Sequence, residues 1–262
     1  MAAVTSYQFL ECPLVIDDTA RRRKRSNAQS AAAFDPARRG TAEPLWRDAL
    51  AAIPPWTPTT RRLLVVSPHP DDEVLGAGGL IRQCVDSGRR VTLLSVTDGE
   101  AAYPDWPGLD RVRRAELERA LATLCGNVMF SVGLRVPDGR ISDHAGQLRA
   151  ALGALADDDT TIVAPYEADG HPDHEAAGAV CREFAQSTGR PLARYPIWAW
   201  HHSNPASMRV RWGKFPLQPQ TRRAKAAAAR CFTSQLCPAR RAPIIPAHVM
   251  TYFSRPFEAF VL

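Results

Sequence analysis

From Arg61 onward, apolar positions alternate between two periods. Short β-branched runs predict buried strands at Arg62–Ser67, Arg90–Thr97, around Val128–Val132, Thr160–Pro165 and around Arg194–Trp200. Between them, longer stretches with helical spacing predict Val74–Ser87, Asp110–Cys125, about His144 to Ala156, and His174–Ser187. Gly88 follows the first of these as a helix-ending glycine. An alanine-rich stretch, Thr221–Ser234, predicts a further helix, and Ala247–Leu262 a mixed tail. Such alternation predicts an α/β fold, a mostly parallel sheet with helices on both faces.

The first sixty residues do not share this rhythm. Val4–Ile16 reads as a strand or an irregular arm, and Asp17–Gly40 as a polar, basic, alanine-rich segment. Thr41–Ile53 places Trp46, Ala49, Leu50 and Ile53 at helical spacing before Pro54, Pro55 and Pro58 break it. Residues 1–60 are therefore expected as an N-terminal extension packed on or trailing from the core, and residues 61–262 as the main domain.

Composition adds exclusions. No apolar run reaches the length of a membrane span, and Met1–Ile16 lacks the basic, apolar and cleavage regions of a secretory leader. Cys12, Cys84, Cys125, Cys181, Cys231 and Cys237 show no CxxC spacing, so reduced thiols in a cytoplasmic protein are expected. The net charge of +6 includes the run Arg21-Arg22-Arg23-Lys24-Arg25, but no nucleic-acid motif accompanies it, and no nucleic-acid partner is expected. Gly76, Gly78 and Gly79 do not make a dinucleotide fingerprint, because Ile81 stands where the third glycine belongs.

The chemistry concentrates where two strands end. Ser67-Pro68-His69-Pro70-Asp71-Asp72-Glu73 follows the first strand, and Tyr166-Glu167-Ala168-Asp169-Gly170-His171-Pro172-Asp173-His174 follows the fourth. Ligands of open α/β sheets bind at the carboxyl ends of strands, beside the point where strand order reverses. If these two strands are neighbours there, His69, Asp72 and His174 supply two imidazoles and a carboxylate to one divalent ion. Three protein ligands with one open position is the arrangement of catalytic zinc. Asp71 is then placed to act as general base on a water, and His171 to stabilise an oxyanion and protonate a leaving amine, with Asp173 orienting the His171 ring. Trp198 and Trp200 read either as a sugar-stacking wall or as core packing of an edge strand, and His201 as a candidate on the substrate side.

His69-Pro70-Asp71-Asp72-Glu73 and His171-Pro172-Asp173-His174 resemble the paired HPDDE and HPDH signatures of the PIG-L/LmbE-like N-acetylglucosamine deacetylase family. The resemblance covers roughly residues 61–262. It implies a Rossmann-like, lactate-dehydrogenase-type three-layer αβα fold without the nucleotide, and one zinc, replaceable by iron, on His69, Asp72 and His174. It implies removal of an N-acetyl group from an amino sugar, with Asp71 as base and His171 as acid or electrostatic stabiliser. Arg113, in Arg113-Arg114-Ala115-Glu116, resembles a substrate-contacting arginine, and Asp138 an aspartate that binds sugar hydroxyls; the plainer alternatives are a surface ion pair and a turn residue. Thr97–Glu100, Lys225–Gln235 and Phe253–Glu258 resemble further family segments. Specificity is expected from the loops Tyr103–Gly108 and Ser203–Leu217. The rival readings are an amidase for a larger amide or thiol conjugate, and a non-enzymatic Rossmann-like binding module.

Overall fold

The computed structural model describes residues 38–126 and 128–262. The expectations for Val4–Ile16, for Arg21–Arg25 and for Cys12 fall outside the described residues. Seven strands are present among them: β1 (Arg62–Ser67), β2 (Arg90–Ser95), β3 (Phe130–Gly133), β4 (Thr160–Pro165), β5 (Leu192–Tyr195), β6 (Trp212–Pro216) and β7 (Phe257–Val261). The longer helices are α1 (Glu43–Ala49), α2 (Asp72–Asp86), α3 (Leu109–Cys125), α4 (Ala145–Leu155), α5 (Pro172–Thr188) and α7 (Pro219–Ala229). Single turns form α6 (Ala199–His202), α8 (Thr233–Leu236) and α9 (Ala247–Met250). No helix of the described residues is long and apolar enough to cross a membrane.

The sheet order is β3-β2-β1-β4-β5-β7-β6. The first five strands are parallel, and β7 and β6 add an antiparallel edge. The period of two along β1 divides the core. Leu63 and Val65 face the layer that holds α2, α3 and α7, whereas Leu64 and Val66 face α4 and α5. Three layers result, and the order of strands reverses between β1 and β4, where Leu63–Val65 pair with Thr161–Val163. The loops leaving those two strands open side by side.

α1 packs on this domain through Trp46, whose indole N–H donates to the Trp200 carbonyl at 2.7 Å and whose ring meets that of Trp200 edge-on. The segment that follows runs beside β6, with Trp56 N–H on the Lys214 carbonyl and Lys214 N–H on that of Pro54.

Several sequence expectations need correction. The run Arg194–Trp200 is not one strand: β5 ends at Tyr195, Pro196 stops the ladder, and the Asp169 carboxylate takes the N–H groups of Ile197, Trp198 and Ala199 to start α6. Trp200 therefore sits on a helical turn, stacked on Trp212 at 5.3 Å, not on an edge strand. Thr221–Ser234 is two helices, because the Glu116 carboxylate captures Thr233 Oγ1 and both N–H and Oγ of Ser234, opening α8 as a separate turn. Within the expected loop Ser203–Leu217, residues Trp212–Pro216 form the edge strand β6.

α2 is buried on nearly every side, and its backbone takes tertiary hydrogen bonds at mid-helix. Here Lys225 Nζ donates to the Leu75 carbonyl at 2.8 Å, and Glu258 accepts from Gly79 N–H at 2.7 Å and Leu80 N–H at 2.8 Å. Lys225 and Glu258 meet at 2.6 Å, both buried, so a tertiary ion pair clasps the helix backbone. Removing one member of a buried pair strands the other charge, which costs about 3–5 kcal/mol. Lys225→Met is expected to lose that much in urea unfolding, and Lys225→Met/Glu258→Gln to lose clearly less than the two single variants summed.

Candidate metal centre

β1 ends at Ser67, and its hydroxyl donates to Glu73 Oε2 at 2.7 Å. The same carboxylate oxygen takes the Asp71 N–H at 3.3 Å, which curls Pro68–Asp71 back over the start of α2. Asp71 is the N-cap, with φ 139° and ψ −33°, a conformation that L-residues rarely adopt. Such strain costs roughly 1–3 kcal/mol and persists only where surrounding bonds impose it. Here Arg113 clamps the Pro70 carbonyl at 2.9 Å, and Val74 and Leu75 donate to the Asp71 carbonyl. Both α2 and α5 begin two residues earlier than the sequence pattern suggests, so Asp72 lies in a first helical turn instead of a loop, and His174, expected as a helix's first residue, is the third. The positive helix ends thus face the acidic cluster.

Across the gap between β1 and β4, three donor atoms converge. His69 Nδ1 lies 3.2 Å from His174 Nε2 and 3.3 Å from Asp72 Oδ2, and His174 Nε2 lies 3.1 Å from the same oxygen. Tetrahedral ligands about 2.0–2.1 Å from a zinc ion stand about 3.3 Å apart, so the triangle has the size that an ion of this class requires. Each ring is also oriented for it. His174 Nδ1–H donates to Asp169 Oδ2 at 2.8 Å, and His69 Nε2–H points between Asp173 Oδ2 and Asp138 Oδ1, both at 3.2 Å. With the far nitrogens protonated, the near ones present lone pairs to the centre.

The electrostatics answer to the same geometry. Burial opposes charge on His174, but Asp72 and the bond to Asp169 outweigh it and push the ring up to about 9. His69 also lies well above its ordinary value, as its bonds to Asp138, Asp173 and Asp72 overcome burial. Asp72 is held far below the carboxylate range by His174 and His69 in spite of burial. Burial and the adjacent Asp72 charge push Asp71 up to about 8, against the pull of Arg113, whose Nη2 is 3.5 Å from Asp71 Oδ2. His171 is pushed down to about 2 by burial and by the charges on His174 and His69.

These groups open into a pocket of about 400 Å3. His69, Asp71, Asp72, Arg113, Asp138, His171 and Asp173 all line it, and its far wall is Ile197, Trp198, Gln235, Ile244 and Ile245. Arg113, not Arg114, faces the pocket, since Arg114 is committed to Asp98 and Asp110. Asp138 lines it while holding His69 and accepting the Ala101 N–H at 3.0 Å.

Two expected placements fail. The Asp173 carboxylate turns to His69 and to the N–H groups of Gly139 and Ile141, and it is the Asp173 backbone N–H that donates to His171 Nδ1, at 3.3 Å. An acid at the second helical residue points back past the cap, toward the neighbouring loop. His201 is not on the substrate side: it packs between Trp198 and His248, behind the pocket wall. The tryptophans divide, Trp198 lining the pocket and Trp200 lying in the core. Neither expected specificity loop lines the pocket: Ala101 and Ala102, just before Tyr103–Gly108, reach it, but no residue of Tyr103–Gly108 or of Ser203–Leu217 does.

Asp169, which has no exposed surface, was not assigned by sequence reasoning. The available signal was an acid five residues before the candidate ligand His174, followed by Gly170, whose φ of 82° permits the turn.

The molecule is thus an α/β protein with a His/Asp cation site at the reversal point of its sheet. Residues 64–185 match the family described as PIG-L: GlcNAc-PI de-N-acetylase. Over those residues the chain is similar to the PIG-L/LmbE-like N-acetylglucosamine deacetylase family. Among curated relatives, the diacetylchitobiose deacetylase of Thermococcus kodakarensis is 31% identical over 140 residues, 50% of this chain and 51% of the relative. The 1D-myo-inositol 2-acetamido-2-deoxy-alpha-D-glucopyranoside deacetylase of Rhodococcus erythropolis is 30% identical over 170 residues, 53% of this chain and 57% of the relative. The chain spans about half the length of the curated relatives it matches. Of solved structures, the conserved protein TT1542 from Thermus thermophilus superposes with a TM-score of 0.57 at 27% identity, covering 76% of this chain and 93% of that one. The N,N'-diacetylchitobiose deacetylase from Pyrococcus horikoshii gives 0.57 at 22% identity, with 82% and 89% covered, a likeness of fold.

Two outcomes are expected. His174 carries a proton up to about pH 9 without an ion, and that proton must leave before Nε2 can ligate. Zn2+ uptake therefore releases protons and tightens as pH rises through neutrality, measurable by calorimetry in buffers of different ionisation enthalpy. Asp169→Asn is expected to weaken Zn2+ by about 10–100-fold in competition with a chelator, since the charge that orients and sharpens His174 is gone.

Proposed function

We propose that this protein is a metal-dependent hydrolase that removes an N-acetyl group from an amino sugar. The observation that carries the reading is the triangle of His69 Nδ1, Asp72 Oδ2 and His174 Nε2, with the Asp71 carboxylate beside it and outside it. Two imidazoles and one carboxylate suit zinc, with ferrous iron as the other ion that such donors accept. A bound ion would supply Lewis acidity, lowering the pKa of water and polarising an acyl oxygen.

The remaining steps belong to the chain. Asp71 accepts a proton from the attacking water; burial and Asp72 raise its basicity, and Arg113 limits the rise. His171 is neutral, and its Nδ1 accepts the Asp173 N–H, so Nε2 carries the hydrogen. That N–H is available to hydrogen-bond the developing oxyanion, and the leaving amine takes up the proton that Asp71 received from water as the C–N bond breaks. Asp138 and Arg113 border the space a sugar would fill, and Trp198 offers an aromatic wall to its C–H face. The Thermococcus and Rhodococcus relatives are named for acetylated amino-sugar substrates, which supports that class here. A cytoplasmic setting is supported by Cys84 and Cys181, which are buried as free packing thiols.

Acetate release from N-acetylglucosaminyl substrates tests the reading. Asp71→Asn is expected to lower the rate at least about 100-fold while metal content stays unchanged. His174→Ala is expected to lose both. A metal-loaded wild type that releases no acetate from any such substrate would reject the hydrolase and leave a binding module.

A further inference from the structure

Part of the chain's basic excess gathers around a second cavity. It lies between α7 and the segment from α9 to Arg255, encloses about 510 Å3 and shares no lining residue with the pocket around His69. That volume falls within the roughly 300–1,000 Å3 of ordinary ligand sites.

Its floor is apolar, formed by Leu75, Leu217, Met250 and Phe253. Its polar surface is cationic, and no carboxylate lines it. Arg222 and Arg223 on α7 and Arg230 at its end have no carboxylate partner among the described residues; Arg222 reaches only the Ser254 carbonyl, at 3.5 Å. Arg255 is only 6% exposed. Its Nε donates to Glu43 at 3.0 Å and its guanidinium covers Trp200, yet its Nη2 is buried without an acceptor. Lys225 and Arg255 are each already neutralised, by Glu258 and Glu43.

A bare anion would satisfy the guanidiniums and leave the floor wet. A neutral hydrocarbon would cover the floor and leave the unpaired guanidiniums of Arg222, Arg223 and Arg230 without a counter-charge at its edge. A ligand with both parts meets both demands. We propose that this groove binds a single-chain anionic amphiphile, its carboxylate or phosphate head on Arg222 and Arg230 and its chain along Leu217, Met250 and Phe253. The site is independent of the hydrolase reading, since it uses none of those residues.

The experiment is titration of the full metal-loaded chain with dodecyl phosphate below its micellar concentration. Saturable one-to-one binding is expected, with dodecyl maltoside and inorganic phosphate each at least about tenfold weaker. Arg222→Ser/Arg230→Ser is expected to weaken dodecyl phosphate about tenfold with metal content and thermal unfolding unchanged, and Arg222→Lys/Arg230→Lys to retain most of the affinity. Sedimentation with phosphatidylglycerol vesicles, against phosphatidylcholine, separates the sources. Cosedimentation lost in the serine variant identifies membrane lipid, and its absence beside retained dodecyl phosphate binding identifies a free amphiphile. Dodecyl phosphate that binds no tighter than its neutral or chain-free counterpart, or equally well to the serine variant, would overturn the proposal.

Discussion

Too much negative charge is enclosed in too little space around His69, and the rest of the site is a response to that. Asp71, Asp72, Glu73, Asp169 and Asp173 are all at most 4% exposed, and Asp138 stands against the same ring. Among the described residues of the pocket the one permanent cation is Arg113. Carboxylates sealed from water must be protonated, hydrogen-bonded or neutralised by a cation. Each remedy is present: Glu73 is pushed up to about 7, Asp169 and Asp173 absorb backbone N–H groups, and Asp72 is left with two imidazole nitrogens and the space for an ion.

The strained backbone of Asp71 follows from the same crowding. An acid at the N-cap normally turns its carboxylate onto its own helix, as capping residues do. Asp71 makes no such bond, and with φ at 139° its side chain is delivered to the pocket instead. The Glu73 carboxylate and Arg113 hold it there from opposite sides. Local stability is given up so that one acid faces the pocket beside Asp72, Glu73, Asp169 and Asp173, which are engaged, a division of labour common where chemistry is done.

Much of this was legible in the amino-acid sequence, and the limits have physical causes. β1 and β4 were readable to the residue because they are buried on both faces and bounded by Pro or charged residues, and the convergence of His69, Asp72 and His174 followed because each cluster ends one of those strands. The antiparallel edge was not readable: β6 is five residues long and half-buried, and its partner arrives from 257–261. Side-chain direction was the other blind spot. Asp173 beside His171 in sequence suggested a contact that the helical start rotates away, whereas Asp169 reaches His174 and the N–H groups of α6 across a turn. The far wall of the pocket comes from Gln235, Ile244 and Ile245, whose placement depends on Glu116 opening α8, a tertiary event with no local signature.

The ion pair that clasps α2 has a consequence for how the molecule comes into being. Gly79 and Leu80 leave the ribosome long before Glu258, which lies 179 and 178 positions further on. Until then, the helix whose first turn presents Asp72 lacks the carboxylate that the Gly79 and Leu80 N–H groups share, and its pairing with Lys225. A polypeptide interrupted shortly before β7 would contain His69, Asp72 and His174 yet lack the ion pair that fastens α2.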